Sequence, residues 1–155
     1  MDQGHSGEPM NAKPIPDGYH AVTPYLIVDD GRQLIDFLVA VFGAEMIAQM
    51  SRPDGKMGHT EMKIGDSPIM MGESMEGYPP LTSMLYIYVD DVDATYAAAI
   101  AAGAKPLMPV ADQFYGDRSG GFEGPGGNKF WVATHIEDVS NEEIERRSQA
   151  RGKTD

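Results

Sequence analysis

Apolar residues recur at helical spacing between Gly31 and Phe42, where Leu34, Ile35, Leu38, Val41 and Phe42 fall on one face and Gly43 follows as a stop signal. On either side the pattern changes to the two-residue period of strands. Val22 to Val28 is rich in β-formers, and Glu45 to Arg52, Gly58 to Ile64 and Ser67 to Gly72 read as three further strands, with Pro53-Asp-Gly55 and Gly65-Asp66 as turns. The first half of the chain therefore reads βαβββ. The second half repeats it: strand Met84 to Val89, helix Val92 to Ala102 with Val92, Tyr96, Ala99 and Ile100 on one face, then strands Lys105 to Val110, Arg118 to Glu123 and Lys129 to Thr134. The repetition extends to residues. Tyr25-Leu-Ile-Val-Asp-Asp30 and Phe42-Gly-Ala-Glu-Met46 are echoed by Leu85-Tyr-Ile-Tyr-Val-Asp-Asp91 and Ala102-Gly-Ala-Lys-Pro106, about 60 residues later.

Two such units predict an α+β fold in which two βαβββ modules form a cupped, barrel-like mixed sheet with helices outside. With 155 residues and 41% hydrophobic content the chain can bury one core but hardly two. The expected organisation is a polar, Gly- and Pro-containing arm over residues 1–18, one domain over 19–138 made of modules 19–74 and 82–138, and a helical tail over 139–155, with Ser140 as N-cap and Glu143 in the capping-box position.

A formal charge of -12 argues against a nucleic acid or an anionic membrane surface as partner. No run is long and apolar enough to span a bilayer, and Met1 to Gly7 lack the features of a secretory signal, so the expected location is the cytoplasm. The chain has no Cys, which removes thiolate nucleophiles and thiolate metal sites.

Strand alternation selects the side chains opposite the helices. If Leu26 and Val28 face the helices, Thr23, Tyr25 and Ile27 face the other way; likewise Met84, Tyr86 and Tyr88 oppose Leu85, Ile87 and Val89, and Trp131 opposes Phe130 and Val132. Tyr25, Tyr86, Tyr88, Trp131 and Met84 then either line a cup suited to an organic ligand with a flat apolar part, or fill a closed core between sheets. His59 and Glu61 share the same open face. They are the candidate general base and its orienter, or, with Glu123 from the other module, a noncanonical metal site, or a hydrogen-bonded cluster at the rim. Arg118 is the candidate for an anionic or carbonyl group, or else forms a salt bridge to Asp117 or Glu123. His20 and His135, at strand ends, read as exposed or structural, and His5 lies in the arm. The run Gly120-Gly-Phe-Glu-Gly-Pro-Gly-Gly127 precedes a strand and lacks a GxGxxG order, so it is not a nucleotide loop.

Several of these segments carry a resemblance. Val22-Thr-Pro-Tyr-Leu-Ile-Val28, Pro53-Asp-Gly-Lys-Met-Gly-His59, and above all Gln113-Phe-Tyr-Gly-Asp-Arg-Ser119 with Ala133-Thr-His-Ile-Glu-Asp138 resemble the PhnB-like branch of the glyoxalase, bleomycin-resistance and extradiol-dioxygenase (vicinal oxygen chelate) superfamily, over about residues 19–147. The resemblance implies paired βαβββ modules, and often a homodimer in which modules pair across chains. It also implies metal ligands on the first and last strands of each module. By register those positions are Thr23, about Met70 (Met71 if the register slips), Met84 and Trp131, none a ligand for a divalent ion among oxygen and nitrogen donors. Where relatives read Asp-Pro-Phe-Gly-His, this chain has Gly124-Pro-Gly-Gly-Asn128, which predicts a more flexible hairpin. The expected function is binding of a small, partly aromatic or apolar ligand without a metal cofactor, for sequestration, resistance or as a pathway accessory. The alternative is a lyase or isomerase acting on a small oxygenated metabolite through His59 and Glu61.

Overall fold

The structure is a computed structural model that describes residues 11–152. The part of the expected arm before residue 11, His5 included, and residues 153–155 of the tail lie outside the described residues. The element order is β1 (Tyr25–Val28), α1 (Gly31–Phe42), β2 (Glu45–Ser51), β3 (Met57–Ile64), β4 (Ser67–Glu73), β5 (Met84–Tyr88), α2 (Val92–Ala101), β6 (Lys105–Asp112), β7 (Asp117–Glu123), β8 (Lys129–His135) and α3 (Asn141–Gly152). The duplicated pattern is thus present as two βαβββ modules. Each makes one four-stranded mixed sheet, in the orders β1-β4-β3-β2 and β5-β8-β7-β6, whose first and last strands run parallel.

The repeated Asp-Asp pair has the same local role in both modules. Asp30 Oδ1 accepts from the Gln33 N–H at 3.0 Å and Asp91 Oδ1 from the Ala94 N–H at 3.1 Å, so the second Asp caps the following helix each time. Gly43, at φ 62°, closes α1: its N–H donates to the Val39 carbonyl and the next N–H, of Ala44, to the Leu38 carbonyl, a left-handed cap that a side chain would strain.

The modules share a core. From the first come Leu26, Leu34, Leu38, Met62 and Met71, and from the second Phe122, Phe130 and Val132, all fully buried. Phe37 and Phe42 of α1 reach across to the second sheet, with ring centroids 5.5 and 5.8 Å from Phe130, and Tyr96 of α2 closes on Phe122 at 5.9 Å. Aromatic pairs at these separations gain beyond simple area burial.

The expected pair of βαβββ modules takes the form of two four-stranded sheets joined through the helix-side aromatic core, with no closed barrel among the described residues. Two expectations change. β1 begins at Tyr25 rather than Val22, since Pro24 has no N–H for a ladder and only its carbonyl is used, accepting from Met70 N at 2.9 Å. The 124–128 turn is a pinned 3-10 turn. The Asn128 side chain, 1% exposed, accepts from Ser83 N at 2.8 Å and donates to the Pro125 carbonyl at 2.9 Å, while Gly126 and Gly127 take φ values of 72° and 74°. In α3, the Ser140 hydroxyl accepts from Glu143 N at 3.1 Å as expected, and Arg147 ties the helix to the body through the Phe114 carbonyl at 3.0 Å and Glu137 at 2.9 Å.

Candidate functional site

On the second sheet, alternation separates two layers. Leu85 and Ile87 turn to the core, while Met84, Tyr86 and Tyr88 remain 60%, 41% and 61% exposed on the opposite face. Tyr86 is opposite Trp131 in the β5–β8 ladder, and Trp131 lies over Gly121 of β7, where an added Cβ would come within 2.9 Å of the indole. The two tyrosines stack edge-on, 5.4 Å between centroids, and both hydroxyls donate to Asp117 Oδ2 at 2.8 Å. The other oxygen of Asp117 contacts His135 Nδ1 at 2.8 Å, and His135 Nε2 contacts Asp138 at 2.7 Å.

Asp117 is 3% exposed. Burial pushes its carboxyl upward, but bonds from His135, Tyr86 and Tyr88 outweigh that and hold it below the usual carboxylate range. The bonds to Asp117 and Asp138 raise His135 above the ordinary imidazole range, and burial with the Asp117 bond raises Tyr86. Ser119, two residues along β7 and fully buried, has a hydroxyl without a hydrogen-bond partner.

The first sheet carries a smaller polar chain. Tyr25 Oη lies 3.3 Å from His59 Nδ1, His59 Nε2 lies 3.3 Å from Glu61 Oε1, and the Tyr19 hydroxyl donates to Glu61 Oε2 at 2.8 Å. The Tyr19 bond chiefly, with His59, lowers the Glu61 carboxyl despite partial burial. Met62 and Ile64 face the core, as alternation requires.

The residues proposed from sequence thus divide between two faces. Tyr25 shares a hollow of about 490 Å³ with Ile27, Gly72, Met75, Tyr78 and Leu81. Tyr86 and Tyr88 border a crevice of about 610 Å³ beside His20, Val22, Pro24 and the β3–β4 turn. Arg118 projects to the other side of the second sheet, where it pairs with Asp93 of α2 at 2.9 Å and with Asp112 at 3.0 Å. Its salt bridges are therefore not to Asp117 or Glu123, because β7 alternation turns Arg118 and Asp117 to opposite faces. Glu123 borders a crevice with Gln33, Asp36 and Lys105 and does not join His59 and Glu61; among the described residues no three His, Asp or Glu gather as metal ligands.

At the positions that the resemblance assigns to metal ligands, Met70 is half-buried on the open face, whereas Met71 is a core residue. Thr23, Met70, Met84 and Trp131 offer no carboxylate or imidazole, so this donor set does not fit a divalent ion held by oxygen and nitrogen.

Of the residues that bond to the candidate side chains, Tyr19 and Asp117 had no ligand role in the sequence reading, and His135 was read as exposed or structural. The signal for two of them was present: the parity that puts Trp131 on the open face also puts His135 there, and its β7 partner is Asp117.

Known proteins place this architecture. An uncharacterized protein of Mycobacterium bovis is 32% identical over 145 residues, covering 85% of this chain and 94% of its own. Among solved structures, TioX from Micromonospora sp. ML1 superposes with a TM-score of 0.62 at 22% identity, over 74% of this chain and 99% of its own. A PhnB protein from Bacillus cereus gives 0.61 at 15%, with the same coverages, so both likenesses are of fold. The profile of the Glyoxalase/Bleomycin resistance protein/Dioxygenase superfamily matches residues 19–132, and the chain belongs to that superfamily.

Proposed function

We propose that this protein binds a small organic ligand with a flat, apolar part against its aromatic open faces, without the superfamily's divalent metal, and acts by sequestration or as a pathway accessory. The observation that carries this reading is the row of Tyr86, Tyr88 and Trp131 left on one sheet face with the two phenol rings outward, next to a buried carboxylate. Aromatic faces with a few fixed polar groups are the usual lining of small-molecule sites. The side chains at the metal positions support the metal-free part. Exposed Tyr25, Met46 and Met50 on the first module and Met75, Tyr78 and Leu81 in the segment after it, with Met84, Tyr86 and Tyr88 on the second module, support a homodimer in which the two faces complete one site. The setting is cytoplasmic, with no nucleic acid or membrane partner.

Native mass spectrometry of gently purified protein tests this. An organic adduct on a dimer, lost in Tyr86→Ala, supports it; a stoichiometric divalent ion overturns the metal-free reading, and light scattering that shows only monomer at high concentration removes the dimer.

One observation favours a second reading, a lyase or isomerase: Tyr25, His59, Glu61 and Tyr19 form a continuous hydrogen-bonded chain. Glu61→Gln that abolishes turnover but keeps ligand affinity would support it, and unchanged turnover would sink it.

A further inference from the structure

We propose that the hollow between the end of the second sheet and α3 is a separate binding site for a small organic carboxylate, and that the side chain of Asp138 occupies its anchoring position in the free protein. The hollow measures about 520 Å³, with Tyr88, Tyr115, Val139 and Ile144 in its walls and His135 and Asp138 at its polar end. That volume is of the order of a small-molecule site, and the hollow is broadly open to solvent, so its ligand is only partly enclosed.

The anchor is built from below. Asp117 is buried and fixed by the Tyr86 and Tyr88 hydroxyls, and it holds His135 through Nδ1. A carboxylate on one ring nitrogen sets the ring's orientation and favours the imidazolium form, in which the other nitrogen is a donor as well. Here that nitrogen, Nε2, meets the Asp138 carboxylate at 2.7 Å. The Asp138 side chain is otherwise fully solvent-exposed, while the imidazole is half-exposed at 49%. Asp138 therefore makes a charge-assisted bond and buries nothing.

A ligand carboxylate can make the same bond. It can also lay an apolar body against Val139, Ile144 and the two tyrosine rings, which Asp138 cannot. An exposed ion pair contributes little, so displacing Asp138 is a small barrier. The ionisable groups facing His135 are Asp117 from β7, Tyr88 and Asp90 from β5 and its end, Tyr115 from the β6–β7 loop, and Asp138; Ser140, the N-cap of α3, and Ile144 within it add no charge. The two carboxylates in contact raise His135, and binding weakens as pH rises through its raised pKa. This site shares Tyr88 and Asp117 with the aromatic face, but its test reads His135, which the function proposed above does not use, so the two fail separately.

The probe is sodium benzoate, titrated into the full chain carrying ¹⁵N-labelled histidine at about pH 6, below the ordinary imidazole pKa of ~6.5. The His135 ring signals, assigned by their loss in His135→Gln, are expected to shift saturably. Asp138→Asn, a change at a solvent-exposed side chain, is expected to tighten benzoate binding about fivefold, the factor matching removal of an exposed ion pair. Acetate, which has the charge without the ring, is expected to bind more weakly. The proposal is overturned if neither the native protein nor Asp138→Asn shows a saturable His135 shift, if His135→Gln binds benzoate equally well, or if acetate binds as tightly as benzoate. Should His135→Gln not fold, the His135 signals are assigned by elimination with His5→Gln, His20→Gln and His59→Gln, and the Asp138→Asn titration decides.

Discussion

The indole of Trp131 lies so near Gly121 that a Cβ there would be 2.9 Å from three ring atoms. Trp131 is the chain's sole tryptophan, so its fluorescence reports on the open face of the second sheet without interference. Gly121→Ala should displace the ring, shift its emission and destabilise the fold by about 1–3 kcal/mol, the usual cost of overpacking. An unchanged emission maximum with unchanged stability would mean that the ring is not held against β7.

The Asp117–His135 pair predicts a pH dependence in two directions. His135 is raised on folding, so its contribution is complete below the ordinary imidazole pKa of ~6.5 and is lost as pH rises through the higher folded value. Asp117 is lowered, so its contribution is present above the ordinary Asp pKa of ~3.9 and is lost as pH falls through the lower folded value. Urea midpoints should form a plateau between these limits and decline on the alkaline side. In His135→Gln the alkaline decline that belongs to this residue should vanish; its persistence at full size would place the titrating group elsewhere.

Ser119 has a fully buried hydroxyl without a partner. Removing such a group relieves a desolvation cost, so Ser119→Ala should leave stability unchanged or raise it by up to about 1 kcal/mol. A loss of that size in urea unfolding would show that the hydroxyl is bonded after all.

Arg118 and Asp117 are adjacent in sequence but face opposite sides of β7. Because the Arg118 guanidinium is committed to Asp93 and Asp112, Arg118→Ala should leave adduct retention in native mass spectrometry unchanged while lowering thermal stability modestly. Loss of the adduct in a folded Arg118→Ala protein would return Arg118 to the ligand side.

Asn128 makes its bonds where the linker before β5 meets the 124–128 turn, with the side chain accepting from Ser83 and donating to Pro125. Asn128→Ala should cost about 1–3 kcal/mol, since it strands a backbone donor and acceptor. Stability within experimental error of the native protein would show that water replaces the amide without loss.

What the sequence by itself determined was everything set by short-range periodicity. Leu34, Leu38 and Val41 at helical spacing, and Leu85 and Ile87 alternating with Tyr86 and Tyr88, assign each side chain to a face. The same burial rule applies to any helix or strand that covers a core. The βαβββ repeat belongs to this class, as does the open-face position of Trp131. Only tertiary structure decided how far apart those faces lie and what their polar groups touch. Tyr25 and Tyr86 share a parity but fall in different hollows, because the modules dock through Phe37, Phe42, Phe122 and Phe130 on the helix side. The link from Asp117 to Tyr86, Tyr88 and His135 spans 31, 29 and 18 residues of chain, and depends on strand order and side-chain reach across a ladder. Parity says which face a group is on; only the register between strands brings two such groups within a hydrogen bond of each other.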